Sequence, residues 1–278
     1  YRHMDLFRQA EDRAVLASAP LPVRMRPREI DEVLGQDHFL GPGKMLRRMI
    51  EADRLTSLVF YGPAGTGKTT LAQVIARHCS ATFHTLNAAS ATVKDVRAII
   101  EEARAARAAA GRRTVLFIDE LHRFNRAQQD VLLNDVETGV ILLIGATTEN
   151  PFFTINSPLL SRSTIFQFRP LGEDDVVTLL RRALADEQHG LGAWSVRADD
   201  DALRHLATIC DGDARRALAA LEIGVKSQAA AAGEGAPIPF DLDAAQQSIQ
   251  AKAIRYEAGG DEHYDAASAL IKSMRGSD

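Results

Sequence analysis

Short apolar runs alternate with longer amphipathic stretches along the chain as far as Pro170. Runs rich in β-branched and aromatic residues predict strands at 57–62, 82–87, 114–120, 140–147 and 164–168. Several of these runs are apolar at consecutive positions, which is typical of parallel strands covered on both faces. Between them, helices are predicted at 68–79, 92–110 and 127–137. The alternation indicates a three-layer α/β domain, with a parallel sheet flanked by helices.

Beyond Pro170 the pattern predicts helices only, at 173–188, 199–209 and 211–228. Acidic residues that can cap a helix stand at the start of each one. The alanine-, glycine- and proline-rich segment at 229–239 predicts a linker. The remainder is too short to build a core of its own, so we expect it to begin a further, truncated domain. The predicted division of the chain is 1–169, 170–230 and 231–278.

Composition narrows the class of protein. The chain has 46% hydrophobic and 25% charged residues, which is ordinary for a globular protein. Its formal net charge of -4 means that any DNA-binding surface must be local. We interpret the two cysteines, Cys79 and Cys210, as buried thiols of a reducing compartment. The longest apolar stretch, 140–146, is too short to span a bilayer and no signal peptide is visible, so a cytoplasmic protein is expected.

The segment "GPAGTGKTT" carries the clearest chemical signal. It fits the phosphate-loop pattern G-x-x-x-x-G-K-[ST] and lies between a predicted strand and a predicted helix. Its glycines allow a tight turn whose backbone N–H groups face a phosphate chain. Lys68 would reach the β- and γ-phosphates, and the Thr69 hydroxyl would bind Mg²⁺. The expected nucleotide-binding residues are Gly62, Pro63, Ala64, Gly65, Thr66, Gly67, Lys68, Thr69 and Thr70.

Two carboxylates at the end of the predicted strand 114–120 complete a hydrolytic site. Asp119 would bind Mg²⁺, and Glu120 would act as the general base that polarises the attacking water. The adjacent Asp-Glu pair favours ATP hydrolysis over a GTPase switch, since no guanine-reading Asn-Lys-x-Asp motif follows. The next strand ends in "GATTEN", where Thr148 is our choice as a group that holds the water. A simple turn role for Thr147 and Thr148 is an equal alternative.

These motifs, together with "SPLLSRS" and "GDARRALAALE", occur in the order seen in AAA+ ATPases. The chain resembles most closely the replication-associated recombination protein A group, which is related to the Werner helicase-interacting protein. The segments "DELHRFNRAQQDVLLNDVETG" and "GATTENPFFTINSPLLSR" carry this resemblance, which covers residues 5–278. It implies an α/β ATPase core, a small helical lid and a helical C-terminal oligomerisation domain, with "HYDAASALIKSMRGSD" as the beginning of the last.

The resemblance also implies roles for the segment 21–41, which would pack around the adenine, and for two arginines. Arg215 matches the sensor 2 position that contacts the γ-phosphate, and its neighbour Arg216 is the weaker candidate. Arg162 matches an arginine that acts in trans, on the ATP of a neighbouring subunit. It has no acid or histidine beside it in sequence, so its partner is expected on another chain. The alternatives are a solvent-exposed helix face for Arg215 and a helix-capping surface arginine for Arg162.

At family level the resemblance implies a DNA-dependent ATPase of replication-fork maintenance, recombination and repair, stimulated by single-stranded or gapped DNA. The expected cofactors are ATP and Mg²⁺. The DNA-contact candidates are His122, Arg123 and Arg126, although as a charge run alone they fit a solvent-exposed face better. The expected partners are DNA without sequence specificity, further copies of the chain and a single-strand-binding protein, and no membrane contact is expected.

Three alternatives stay open: a clamp-loader subunit, a RuvB-like branch-migration motor, and an ATP-gated scaffold for replication proteins. The linker and the C-terminal segment of this chain suit neither of the first two. DNA-stimulated turnover would distinguish the expected ATPase from the scaffold.

Overall fold

The computed structural model describes residues 18–232 and 236–257. Two compact units divide the chain. The sheet unit comprises Met25–Leu179 and Asp211–Arg215, and the helical unit comprises the described residues of Tyr1–Arg24, Leu180–Cys210 and Arg216–Asp278. The segment 263–278, predicted to begin a further domain, lies outside the described residues. The predicted division at residues 169 and 230 stays a prediction.

A parallel sheet of five strands in the order β2-β3-β4-β1-β5 forms the centre of the sheet unit. The strands are β1 Ser57–Tyr61, β2 Thr82–Asn87, β3 Thr114–Asp119, β4 Leu142–Thr147 and β5 Ser163–Gln167. The predicted α/β fold class is confirmed. Strand β4 begins later than predicted, because the N–H groups of Val140 and Ile141 both donate to the Asp135 carbonyl in a turn.

Alternate residues of the central strands enter two separate apolar layers. Leu58 and Phe60 of β1 pack on one face of the sheet, whereas Val59 packs on the other. In β3, Val115 and Phe117 share the first layer, and Leu116 and Ile118 share the second. All of these side chains are fully buried. Burial on both faces explains why the strands are apolar at consecutive positions.

Helices cover the sheet on both sides. Helix α1 Leu21–Arg24 belongs to the helical unit. The helices of the sheet unit are α2 Asp37–Leu40, α3 Met45–Glu51, α4 Lys68–His78, α5 Val93–Ala110, α6 Arg126–Glu137, α7 Pro151–Thr154 and α8 Ser157–Leu160. Helix α5 begins as predicted, since the Thr92 hydroxyl accepts a hydrogen bond from the Asp95 N–H at 3.3 Å. It ends at Gly111, whose φ of 60° suits a glycine.

The later part of the chain contains helices α9 Glu173–Ala185, α10 Asp200–Ile209, α11 Ala214–Ala232 and α12 Leu242–Glu257. The expectation of helices only is wrong in one respect, because two short strands, β6 Val196–Ala198 and β7 Ile238–Phe240, pair in parallel. The predicted linker 229–239 is therefore shorter than expected. Its alanines continue α11, as their high helix propensity favours, and Ile238 and Phe240 are buried.

One carboxylate is buried inside the helical unit. Glu222 is 7% exposed and accepts hydrogen bonds from the Leu21 N–H and the Lys226 ammonium, both at 2.8 Å. Arg24 lies 3.4 Å away on the same carboxylate. Burial alone would raise the pKa of Glu222, but these donors lower it below its ordinary value. Among the described residues, each helix is too short or too polar to cross a membrane.

Candidate functional site

The predicted phosphate loop connects β1 to α4, and it is positioned by the C-terminal edge of the sheet. Gly62 follows β1 directly and donates its N–H to the Thr147 carbonyl at 3.1 Å. A side chain at Gly62 would collide with the Phe168 carbonyl, so only glycine fits there. Gly67 has a φ of 97° and turns the chain into α4, which begins at Lys68. The loop therefore delivers its backbone N–H groups to a helix N-terminus, where anions bind.

The Lys68 side chain is buried within this loop. Its ammonium donates to the Gly62 carbonyl at 2.7 Å and to the Pro63 carbonyl at 2.6 Å, and the residue is only 8% exposed. Burial lowers the pKa of Lys68 to about 8, against the opposing effect of the Asp119 carboxylate. Arg215 lowers it further as a like charge. Thr69 and Thr70 follow in the first turn of α4, where sequence analysis predicts them.

The two predicted carboxylates lie at the end of β3. Asp119 is the last residue of the strand, opposite Asn87 of β2, and its carboxylate accepts the Glu120 N–H at 3.1 Å. Glu120 leaves the strand with a φ of 55°, a conformation that is uncommon for a non-glycine residue and often found at functional sites. Its carboxylate lies 3.6 Å from the Arg123 guanidinium. Asp119 and Glu120 therefore have different surroundings, which agrees with the separate roles predicted for them.

The threonines after β4 differ in their surroundings. Thr147 is 1% exposed, and its hydroxyl lies 3.0 Å from His122 Nδ1 and donates to the Glu149 carbonyl at 3.1 Å. Thr148 is exposed and follows it directly. The Thr147 hydroxyl is thus engaged inside the protein, which agrees with the choice of Thr148 as the group available to a ligand.

The predicted DNA-contact residues are only partly exposed at the protein surface. The His122 side chain is 5% exposed, and its second ring nitrogen lies 3.6 Å from Glu149. The DNA-contact prediction for His122 is therefore corrected, because a ring enclosed in this way cannot meet a phosphate. Asn125 and Gln128 form the reciprocal cap of α6, with bonds of 2.9 and 3.0 Å. Arg126 is exposed, and its side chain has no hydrogen bond or ion pair to the described residues.

The start of α11 lies beside the phosphate loop, within the sheet unit. The Ala214 N–H donates to the Gly65 carbonyl at 3.3 Å, and a side chain at Gly65 would collide with the Asp213 carboxylate. Arg215 is the next residue, and it is exposed. It influences both Lys68 and Arg26, since burial first and the Arg215 charge second lower the pKa of Arg26. Arg26 is a cation of this site that sequence analysis missed, because only its neighbourhood in the fold distinguishes it.

Arg162 lies at the other end of the sheet. It precedes Ser163, which is paired with Ser57 at the beginning of β1, whereas the phosphate loop follows the end of β1. Its guanidinium lies 3.3 Å from Glu137 and donates to the Pro158 carbonyl at 2.9 Å. The expectation that Arg162 lacks a partner on its own chain is wrong, because α6 ends at Glu137 beside α8. Its bond to Pro158 agrees with the helix-capping alternative.

Known proteins resemble this chain in sequence and in fold. Residues 58–171 match the family model "ATPase family associated with various cellular activities (AAA)", and residues 192–275 match the model "AAA C-terminal domain". A Mycobacterium tuberculosis relative, an uncharacterized AAA domain-containing protein, is 49% identical over 96% of this chain and 57% of its own length. The replication-associated recombination protein A of Bacillus subtilis is 43% identical over 93% of this chain and 60% of its own length.

A solved structure of the Thermotoga maritima RuvB Holliday junction branch migration motor has the same fold, with a TM-score of 0.66. It is 25% identical, and the alignment covers 82% of this chain and 73% of that one. The present chain spans about three fifths of the length of the curated relatives it matches, 57% and 60% in the two named above. Fold, phosphate loop and relatives agree: residues 58–171 match the AAA ATPase family, and the chain is similar over 93% of its length to the replication-associated recombination protein A of Bacillus subtilis.

Proposed function

We propose that the sheet unit is a Mg²⁺-dependent ATP hydrolysis site. The observation that supports this most directly is the meeting of the loop carrying Lys68 with Asp119 and Glu120 at one edge of the sheet. Lys68 binds the β- and γ-phosphates, exchanging its two carbonyl partners for phosphate oxygens. Glu120 accepts a proton from the attacking water, and Thr148 holds that water in place.

The residues present suit a magnesium ion. Thr69 lies in the first turn of α4, and Asp119 is the last residue of β3, so one hydroxyl and one carboxylate are available. Among the described residues no group of three or more His, Cys, Asp or Glu side chains could hold a metal by itself. Such a sparse donor set fits Mg²⁺, which takes most of its ligands from phosphate and water. When bound, the ion neutralises charge on the phosphates.

Two arginines are proposed to act on the γ-phosphate from opposite directions. Arg215 acts within its own sheet unit, since it lies close enough to Lys68 to lower the pKa of that residue. Arg162 acts on the site of a neighbouring copy. The five residues of β1 separate its end of the sheet from its own phosphate loop, a distance of about 16 Å. A homo-oligomer follows from this proposal.

At the level of the whole protein, we propose DNA-dependent ATP hydrolysis in replication-associated recombination and repair, in the cytoplasm and at the nucleoid. Two relatives support the biological setting, and one ion pair supports the dependence on DNA. The proposed base Glu120 lies 3.6 Å from Arg123, which is 60% exposed. A DNA phosphate that binds Arg123 competes with Glu120 for the guanidinium. Glu120 is then released to accept a proton.

Steady-state ATPase assays with single-stranded, gapped, forked and duplex DNA test this proposal. DNA should raise turnover, and gapped or single-stranded DNA should raise it most. In Arg123→Gln the basal rate should rise and the response to DNA should fall, because the base is no longer held by the guanidinium. Arg112→Gln is a matched control, since Arg112 is an exposed arginine at the opposite end of β3. A basal rate unchanged by Arg123→Gln would contradict the coupling, and turnover independent of every DNA would favour the scaffold alternative.

A further inference from the structure

Two adjacent phenylalanines project from the short helix α7, just after β4. Phe152 is 70% exposed and Phe153 is 87% exposed. Most large apolar side chains of the sheet unit are buried, including Phe60, Phe117, Phe124, Phe166 and Phe168. Exposed large apolar side chains that stand together mark a binding surface more often than scattered ones do. The exposure of these two adjacent rings therefore indicates a binding surface.

The turn that carries them is firmly held. The Asn150 side chain caps it by accepting the Phe152 N–H at 3.1 Å, and Pro151 and Ile155 are buried on its inner side. The buried Gln129 amide donates to the Thr154 carbonyl at 3.1 Å. The two phenyl rings are thus exposed on a fixed backbone, so binding would cost little ordering of the chain.

The same contacts join this turn to the arginines of the sheet edge. Gln129 also donates to the Phe124 carbonyl at 2.9 Å, which fixes α7 against the start of α6, where Arg126 is exposed. His122, next to Arg123, lies 3.6 Å from Glu149 in the segment that leads into α7. Phe152, Phe153, Arg123 and Arg126 therefore belong to one region of the sheet unit, which we name the aromatic-arginine surface.

The acids of this region already have partners. Glu120 lies against Arg123, Glu149 lies against His122, and Asp130 accepts a hydrogen bond from the Asn156 amide at 2.7 Å. Arg126 remains as an exposed cation without a described partner, while Arg123 can exchange its carboxylate for a phosphate. Arg126, and Arg123 once it leaves Glu120, are thus the cations that can meet a phosphate in this region.

We propose that the aromatic-arginine surface binds single-stranded nucleic acid, with bases stacked on Phe152 and Phe153 and phosphates held by Arg123 and Arg126. Rings beside arginines are the combination that single-stranded nucleic acid recognises, since every base offers a π-face. A protein partner fits less well, because Thr148, Glu149 and Asn150 before the rings are exposed and polar, and two rings are far less than a stable protein interface. This inference rests on the proposed function and adds the residues on which the bases stack.

Fluorescence anisotropy with a labelled oligo(dT) of about 30 nucleotides tests the surface. Phe152→Ala and Phe153→Ala should each weaken binding roughly tenfold, and the double variant more, since stacking is lost. Their salt dependence should match that of the unchanged protein, whereas Arg126→Ala should lower the slope of log affinity against log salt by about 0.7. Met45→Ala is the control, an exposed apolar residue on α3 whose removal should leave affinity unchanged. Thermal melting checks that each variant folds.

A tryptophan in the aromatic-arginine surface reports stacking directly. The chain has one tryptophan, Trp194, so Phe153→Trp combined with Trp194→Phe places the single indole on α7. Oligo(dT) should quench its fluorescence and duplex DNA should not, because paired bases do not offer free faces. The substitution should also keep the affinity that Phe153→Ala loses.

The outcomes separate the surface from the wider function. If the phenylalanine variants keep full oligo(dT) affinity while Arg123→Gln loses DNA-stimulated turnover, base stacking on the aromatic-arginine surface is overturned. The proposed function would still stand. Phenylalanine variants that lose self-association in sedimentation but keep oligo(dT) affinity would assign the rings to a second copy of the chain, which also overturns the proposal. Absence of any oligo(dT) binding or stimulation in the unchanged protein would overturn both.

Discussion

The guanidinium of Arg162 lies 3.3 Å from the carboxylate of Glu137, at the edge of the sheet opposite the phosphate loop. Both side chains are substantially exposed, so this ion pair contributes little to stability. An exposed carboxylate is a partner that a stronger anion can replace. Under the proposed action in trans, Glu137 would yield Arg162 to a phosphate that reaches this edge from another molecule.

Mixing of two inactive variants tests whether Arg162 acts in trans. Arg162→Ala should bind ATP normally but turn it over slowly, because the transition-state charge on the adjacent site goes unpaired. Lys68→Ala should lose nucleotide binding while its Arg162 stays intact. In mixed assemblies a working pocket and a working arginine meet at some interfaces, so ATPase activity should return. An inactive mixture despite verified subunit exchange would contradict action in trans.

Glu137→Gln serves as the matched control for that experiment. It removes the local partner of Arg162 but leaves the arginine, so turnover should stay near that of the unchanged protein. A loss of turnover as large as that of Arg162→Ala, together with a lower melting temperature in both, would instead assign the pair a structural role.

Local features of this chain could be predicted from sequence, whereas long-range contacts could not. Strands, most helices and the loop at Gly62–Thr70 were predictable because periodicity, glycine spacing and caps act over a few residues. The Arg162–Glu137 pair and the burial of His122 against Thr147 depend on elements far apart in sequence. Strand β7 was missed for a similar reason, since Ile238–Phe240 is a strand only through pairing with β6.

Lys68→Ala and Glu120→Gln should separate nucleotide binding from hydrolysis. Lys68→Ala removes the cation that meets the β- and γ-phosphates, so binding of a fluorescent ATP analogue should be lost. Glu120→Gln keeps every phosphate contact but cannot accept a proton, so it should bind normally and turn over at least a hundredfold more slowly, within the range typical of general-base loss. Turnover by Glu120→Gln at the rate of the unchanged protein would mean that another group is the base.

Nucleotide affinity should fall as the pH rises through about 8, because the pKa of Lys68 is lowered to about 8, chiefly by burial. Phosphate binding favours the charged ammonium and raises the pKa of Lys68 in the complex. Between the pKa of the free protein and that of the complex, each pH unit should therefore weaken nucleotide affinity by up to about tenfold. Titrations with the fluorescent analogue from about pH 7 to about pH 9.5 would measure this. Lys68→Arg is the control, since a guanidinium stays charged and its affinity should not change over that range.

The lowered pKa of Lys68 also has a consequence for stability. At pH values between about 8 and 10.5, the ordinary pKa of lysine, the unfolded chain holds a proton at Lys68 that the folded chain has released. Stability therefore rises with pH in that window. Urea unfolding of the sheet unit without nucleotide should show this rise, and Lys68→Met should remove it. A rise of equal size in Lys68→Met would assign it to another group.

Glu222 should stabilise the helical unit, and its contribution should depend on pH. The carboxylate is nearly buried and accepts from Leu21, Lys226 and Arg24, which together hold its pKa below the ordinary value of 4.5. Its stabilisation is thus fully present above pH 4.5 and is lost as the pH falls through the lowered pKa. Glu222→Gln removes the charge but keeps the shape, and should cost about 1–3 kcal/mol of unfolding free energy at neutral pH.

The fluorescence of Trp194 measures this effect, because it is the single tryptophan of the chain and belongs to the helical unit. Urea unfolding followed at Trp194 should shift to lower urea in Glu222→Gln at neutral pH, and the two proteins should converge in acid, where Glu222 itself becomes neutral. Glu187→Gln is the matched control, since Glu187 is exposed in the same unit and its loss should change the free energy by less than about 0.5 kcal/mol. A difference between Glu222→Gln and the unchanged protein that persists in acid would show that shape, not charge, is what Glu222 contributes.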